Sequence, residues 1–515
     1  MIVLKFSENN LAEALSNTYT SPTLVQSKNH FKYLKKYLGE DGINAKTIVI
    51  EESYVSKDFL QDYTSYYALC FQNYPKVCKR VHFFLNEFND SYFQSIIVGD
   101  QIKNEDFWDA YLGFIVVKPI PLTIIGYTVL KTYVNGSEFE SRNFWGLRQY
   151  SIHIFGKEVK IDSLAFQEQD SVLAACATTA IWTMLNKAAT DFYTTLKSPS
   201  QITKDADNVS PGGGRLFPNK GLNLLQICHA IVNSGLVSEI KQPDFHLYDE
   251  AGKVTDSFIS NSYLKKILNA YSPIGIPIIL VIQVPCGGQH GLHAIVVTGF
   301  KQSAPKHIPP QDQISFLSEN IEKIYAHDDQ WGPFVRINFE EEINLITPWT
   351  DETTDKAPTR LVNIVVPVYP KIRISYEDIE VLVLGLDAIL TFFFNENIIS
   401  DLIWDIRIDF SENFKKQIAM SSLDEGDKFS FVSKSLPKYL WVVSCYITEF
   451  KIIEFIFDAT DVSNGMIGNS IICYLPSDIK KILSDFLIEN RELLHPLVMH
   501  KANVDYYNFL IENLN

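Results

Sequence analysis

Cys176 lies in the run Gln169-Asp-Ser-Val-Leu-Ala-Ala-Cys-Ala-Thr-Thr-Ala-Ile-Trp-Thr-Met-Leu185, which has the character of a helix start. Further along, His293 opens the strand-like run His-Ala-Ile-Val-Val-Thr-Gly-Phe300. Asp328 and Asp329 then close another such run, Ile324-Tyr-Ala-His-Asp-Asp-Gln-Trp-Gly-Pro-Phe334. A thiol, an imidazole and a carboxylate in this order suit a nucleophile, its base and an acid that orients the base, brought together by folding. The chemistry they would perform is attack of sulfur on an acyl carbon.

A cysteine attacks as its thiolate, so it needs a nearby cation or a helix amino terminus. Capping by Asp170 or Ser171 would set Cys176 within the first two helical turns, where unpaired amides and the positive end of the macrodipole lie. Taken alone, Cys176 would read as a small core residue among Ala174, Ala177, Ala180 and Ile181, and the two partners reverse that reading. His293 follows a glycine-rich approach, Gly287-Gly-Gln-His-Gly291, which places an imidazole at a strand edge. His290 has helical spacing to His293 for a metal, but the surrounding glycines argue against a helix, so no metal site is expected. Either Asp328 or Asp329 can hold the imidazole and its charge. Gln169 and Gln167 are the side-chain amides available to an oxyanion.

These residues resemble the papain-like cysteine peptidase superfamily, and within it the bacterial peptidases that process bacteriocin leader peptides. The features that carry the likeness are Gln169 and Cys176 on one helix, Gly221-Leu222 ahead of a second helix, Gly275-Ile-Pro277 ahead of a strand, His293-Ala-Ile-Val-Val-Thr-Gly299, and Asp328 or Asp329 before Trp331-Gly332. The resemblance covers about residues 160 to 345. It implies Cys176 as nucleophile, His293 as base and Gln169 in the oxyanion hole. Asp-x-x-x-Gly from Asp328 matches the leader peptidases and is preferred, while Asp329-Gln-Trp-Gly332 matches the Asn-Ser-Trp-Gly of papain relatives. The chain departs from the pattern in having Ala177 where glycine is usual, and in a cysteine seven residues after the glutamine where six is common.

The elements that must position these groups read as an α+β arrangement, helices first and sheet afterwards. At 515 residues the chain allows two to four domains on a prior of about 150 residues each. The expected layout is an α/β region over residues 1–150, a papain-like core over 151–347 with the cysteine helix packed on an antiparallel sheet bearing His293 and the aspartates, and an α+β region over 359–515. The polar, proline-bounded stretch from Thr347 to Pro358 serves as the boundary between the last two. The glycine-rich run Ser210 to Pro218 lacks the Gly-Lys-Ser/Thr ending of a phosphate loop and reads as a surface loop.

Composition narrows the partners. Forty-five Lys and Arg against 61 Asp and Glu give a net charge of −16, which disfavours nucleic acid and anionic membrane surfaces. Seven scattered cysteines read as reduced thiols of a cytoplasmic protein. The amino terminus shows no secretory signal. The apolar stretches Tyr111–Leu130 and Ile379–Phe394 contain charges or prolines and read as core. A protein or peptide substrate is expected, with a regulatory protein partner suggested by the large flanks, and no cofactor. Two alternatives use the same residues: acyl transfer to an amine, as in transglutaminases or arylamine N-acetyltransferases, and a papain-like fold that binds without turnover.

Overall fold

The computed structural model describes residues 1–99, 105–134, 140–170, 175–191, 194–207, 221–286, 289–303, 314–352, 358–397, 402–460, 466–500 and 504–514. It is a mixed α+β protein built around three main sheets. Among the described residues no helix is long and apolar enough to cross a membrane. Tyr111–Leu130 holds two strands, and Ile379–Phe394 lies inside the helix Tyr376–Asn397.

The first sheet runs in chain order through Ile2–Lys5, Thr47–Tyr54, Cys78–Phe84, Tyr111–Val117 and Ile125–Leu130. Every pairing in it is antiparallel, so the amino-terminal region is α+β and not the α/β arrangement expected. The reason is connectivity: each strand returns beside its predecessor, whereas parallel pairing requires a crossover.

The second sheet holds the site. Its strands Ile278–Cys286, Gln289–Ser303, Ile321–Asp328, Gly332–Glu340, Asn344–Ile346 and Thr359–Val368 pair antiparallel, and the last also pairs with the first, so the sheet closes on itself. Val237–Lys241 extends it beside Thr359–Val368, and Glu140–Asn143 pairs with Gln289–Ser303. The stretch from Ala294 to Phe300 is buried throughout, as befits a strand covered on both faces, and this is why it reads as a nearly unbroken apolar run.

Both expected boundaries shift. Thr359–Val368, assigned by sequence to the carboxy-terminal region, is a strand of the second sheet because its alternate faces fill that core. Glu140–Asn143 also joins the second sheet, while the hairpin Arg148–Ile154 with Lys157–Ser163 packs on strands of the first. The two regions are therefore interlaced around residue 150. The third sheet is the meander Leu402–Phe410, Tyr439–Ile447, Phe450–Asp458 and Gly468–Cys473, joined in parallel by Ser315–Phe316. The helix Ser477–Glu489 lies beyond it.

The cysteine helix, Cys176–Asp191, packs against Gln289–Ser303 and Ile278–Cys286 and is buried on nearly every side, with Ile181, Trp182, Met184 and Leu185 in the main core. The second helix expected after Gly221-Leu222 spans Leu224–Val232, and Asn223 and Gln226 cap it reciprocally in the manner of a capping box. The glycine-rich run from Ser210 to Pro218 lies outside the described residues.

Candidate active site

Cys176 is the first residue of its helix, and the Thr179 amide bonds to the Ala175 carbonyl at 3.0 Å. The amides of Cys176 and Ala177 thus belong to the first turn, where intrahelical partners are lacking. The helix begins later than a cap at Asp170 would place it. That carboxylate instead accepts a hydrogen bond from the Tyr67 hydroxyl at 2.5 Å. Ser171 lies outside the described residues. The late start puts the sulfur closer to the dipole's positive end than the sequence suggests.

His293 is buried on the strand Gln289–Ser303, opposite Ile282. The aspartates sit where the neighbouring strand Ile321–Asp328 turns into Gly332–Glu340. This turn fixes Asp328 through its own backbone. The Trp331 amide bonds to the Asp328 carbonyl at 3.0 Å, and the Gln330 amide bonds to Asp328 Oδ1 at 3.0 Å. An aspartate that accepts from the amide two residues on makes an Asx turn, for which its side chain is suited. His293 Nε2 then donates to Asp328 Oδ1 at 2.9 Å, and the Trp349 indole N–H donates to Oδ2 at 2.9 Å. With Nε2 committed to Asp328, Nδ1 is the ring nitrogen left for the thiol. The Cys176 side chain lies close enough to the ring to favour its charged form.

Electrostatics follow from this packing. Burial works against a charged His293, yet the Asp328 charge and hydrogen bond, the Cys176 contact and the Asp329 charge together hold its pKa well above the ordinary histidine range. Burial likewise opposes the Asp328 carboxylate, but the His293 charge and the bonds from His293, Gln330 and Trp349 keep its pKa below the usual value. Asp329 behaves in the opposite way. It is buried, neither carboxylate oxygen accepts a hydrogen bond among the described residues, and its Oδ1 lies 3.5 Å from His293 Nε2. Burial raises its pKa to about 7, with His293 lowering it and the Asp328 and Glu168 charges adding to the rise.

The structure thus brings together Cys176, His293, Asp328 and Asp329. Gln169 lies half-buried on the segment that leads to the helix. That segment is tied to Ile125–Leu130 by the Thr128–Phe166 bridge and by paired bonds between Glu168 and Ile125. Phe166 from this segment lines a cavity of about 10 Å³ beside Cys176, Thr179 and Asp329, and Gln169 is not among the residues lining it. Gln167 is buried on the same segment. His290 is exposed, and an odd spacing on a strand puts it on the face opposite His293. Gly287 and Gly288 lie outside the described residues.

Donor atoms of His293, Asp328 and Asp329 lie within 4.8 Å of one another, close enough for a shared metal ion. The bonds on Asp328 point elsewhere: both its oxygens already accept hydrogen bonds, and its partner ring faces two carboxylates through one nitrogen. That is the setting of an imidazolium and not of a bare metal ligand.

Several supporting residues escaped the sequence reading. Trp349 sits in the short helix Pro348–Glu352, inside the stretch read as a boundary, with its ring 5.3 Å from His293 and edge-on to Trp331 at 5.9 Å. His30 Nε2 donates to the Asp329 carbonyl at 2.8 Å, and the Tyr33 hydroxyl donates to the Pro333 carbonyl at 2.5 Å. A helix of the amino-terminal region, Asn29–Leu38, therefore braces the aspartate turn. Gly332 is required there, because a Cβ would lie 2.3 Å from the Tyr33 ring. His327, one residue before Asp328, donates from Nε2 to the Leu164 carbonyl and accepts the Phe334 amide at Nδ1, and burial pushes its pKa down to about 4. It is a neutral structural histidine. No protein-family model and no curated protein sequence matches this chain.

Proposed function

We propose that the protein is a papain-like cysteine peptidase that hydrolyses a peptide or isopeptide bond through Cys176, His293 and Asp328. The observation that carries the reading is a cysteine at a helix start, in contact with a buried histidine whose far nitrogen is held by a triply hydrogen-bonded aspartate.

In this mechanism Cys176 Sγ attacks the scissile carbonyl carbon, forming a carbon–sulfur bond and a tetrahedral oxyanion. The first-turn amides of Cys176 and Ala177 are the proposed donors to that oxyanion, with Gln169 as the side-chain amide that the resemblance implies. Collapse breaks the carbon–nitrogen bond while imidazolium His293 gives its proton to the departing amine. Water then attacks the thioester, His293 takes its proton, and the carboxylic acid leaves as the thiol is regenerated. Asp328 keeps the ring oriented with Nδ1 toward sulfur and stabilises its charge throughout. Asp329 lies against the same ring as a second, weaker acid.

The test compares protein termini in cells that express the wild-type chain or Cys176→Ala. New termini that depend on Cys176 support proteolysis, and identical termini count against it. Product analysis with an added amine separates hydrolysis from acyl transfer.

A further inference from the structure

The cavity of about 10 Å³ beside Cys176 lies between the cysteine helix and the second sheet. Its helix wall is Cys176, Thr179, Ala180 and Thr183, whose spacing of three and four residues sets them on one face. The strand Gln289–Ser303 contributes Ala294 and Val296, and the aspartate turn contributes Asp329. Two buried side chains of this lining lack hydrogen-bond partners among the described residues: Asp329, 4% exposed, at both carboxylate oxygens, and Thr179, 2% exposed, at Oγ1. A threonine inside a helix can return its hydroxyl to the carbonyl four residues back. Thr179 does not, although its amide bonds to that same carbonyl, of Ala175. His327 also borders the cavity, but both its ring nitrogens are engaged by Leu164 and Phe334.

We propose that one buried water molecule occupies this cavity and bridges the Asp329 carboxyl group to the Thr179 hydroxyl, which makes Thr179 a positioning residue for the acid beside His293. The space is what a single water needs, about 10–15 Å³, and buried water is retained where two or more polar groups converge on such a space. The bridge satisfies groups that burial otherwise strands. Water can donate to a carboxylate oxygen and accept from the Thr179 O–H, and it serves Asp329 with or without its proton. Because Thr179 stands one turn beyond Cys176, the bridge ties the nucleophile's helix to the turn that carries both acids. The titratable groups around Asp329 are His293 on its strand, Asp328 and His327 on the strand before the turn, and Cys176 on the helix. Glu168 faces it from the segment ahead of the helix, with His30 and Lys28 against that carboxylate. None of them bonds the Asp329 oxygens. The bearing of this water on thiol chemistry rests on the peptidase reading, whereas its presence rests on packing alone.

The experiment takes the full-length wild-type, Thr179→Val and Thr179→Ser chains. Crystals of the wild type are expected to show density for one water within hydrogen-bond distance of both Asp329 and Thr179. An empty cavity in a map that shows other buried waters, a water touching only one of the two groups, or a metal ion in its place overturns the proposal. This arm is decisive even if valine prevents folding. In solution, nitrogen-15 spectra of the His293 ring report the charge of Asp329 beside it, with the signal assigned by its loss in His293→Ala. A displacement is expected near pH 7, where Asp329 ionises. Valine keeps the shape and removes the hydroxyl, so the carboxylate loses its bridging donor and the displacement should move up by about one pH unit. Serine should restore the wild-type midpoint. An unmoved midpoint in Thr179→Val, or a serine variant that behaves like valine, overturns the proposal. Failure of the peptidase reading appears separately, as the absence of Cys176-dependent cleavage with the water and the midpoints in place.

Discussion

Replacing Asp328 by Asn tests the orientation of the proposed base, because the carboxylate accepts three donors and an amide cannot. With the amide oxygen at the Oδ1 position, facing His293 and Gln330, its NH2 group meets the Trp349 indole N–H at 2.9 Å, donor against donor. Flipped, the NH2 group faces His293 Nε2, which must then lose its proton and leave hydrogen on Nδ1, the nitrogen that has to serve the thiol. Either way the imidazolium loses the opposing carboxylate charge, about 1.5–3 kcal/mol, and at least one buried donor is stranded at about 1–3 kcal/mol. Together the two losses are roughly 2.5–6 kcal/mol, which at about 1.36 kcal/mol per tenfold is about 10² to 10⁴ in rate. The assay is the second-order rate of Cys176 modification by an electrophilic peptide at pH 6.5, read by intact mass, with circular dichroism as the control for folding. A folded Asp328→Asn chain that reacts within threefold of wild type would refute the reasoning.

Trp349→Phe removes one of the three bonds on Asp328, about 1 kcal/mol, and should slow the same reaction about fivefold. Asp329→Asn should show a pH-dependent gain in stability. Its acid is pushed from 3.8 to about 7 by folding, so between roughly pH 4 and 7 the unfolded chain is ionised while the folded one still holds the proton, and wild-type stability falls as pH rises. The gain of the variant over wild type should therefore grow from pH 4 to 7 and reach about 4 kcal/mol at most, measured by urea unfolding at pH 5 and pH 8. Equal gains at both pH values would count against a buried neutral acid. Gly332→Ala forces a methyl group against the Tyr33 ring and should destabilise by about 1–3 kcal/mol, seen as a lower thermal midpoint. His327, with a pKa near 4, should remain neutral at pH 6 while His293 is charged, a contrast that histidine ring chemical shifts would report.

Cys176 and the aspartate pair were legible because each sits at the boundary of a locally encoded element, a helix start and a turn of Asp-Asp-Gln-Trp-Gly, whereas His293, read as opening a strand, lies inside the strand Gln289–Ser303, which begins four residues earlier. The supports were not, since they depend on contacts across the chain. His30 reaches Asp329 from 299 positions away and Trp349 approaches from a stretch whose polarity and prolines signal only a loop. The choice between the two acids was also beyond the sequence, because it rests on which carboxylate the turn amide and the indole hold. Thr359–Val368 was misassigned for a related reason: strand character is local, whereas the sheet a strand joins is decided by its partners.

The central claim is that sulfur at Cys176 acts with His293 as one nucleophilic unit. The most direct measurement is covalent capture by a peptidyl acyloxymethyl ketone, with the adduct mapped by peptide mass spectrometry in wild type, Cys176→Ala and His293→Ala chains. The predicted result is a single adduct on Cys176, lost in the first variant and formed far more slowly in the second. An adduct on Cys70 or Cys473 that persists in Cys176→Ala, or capture by Cys176 at an unchanged rate without His293, would contradict it.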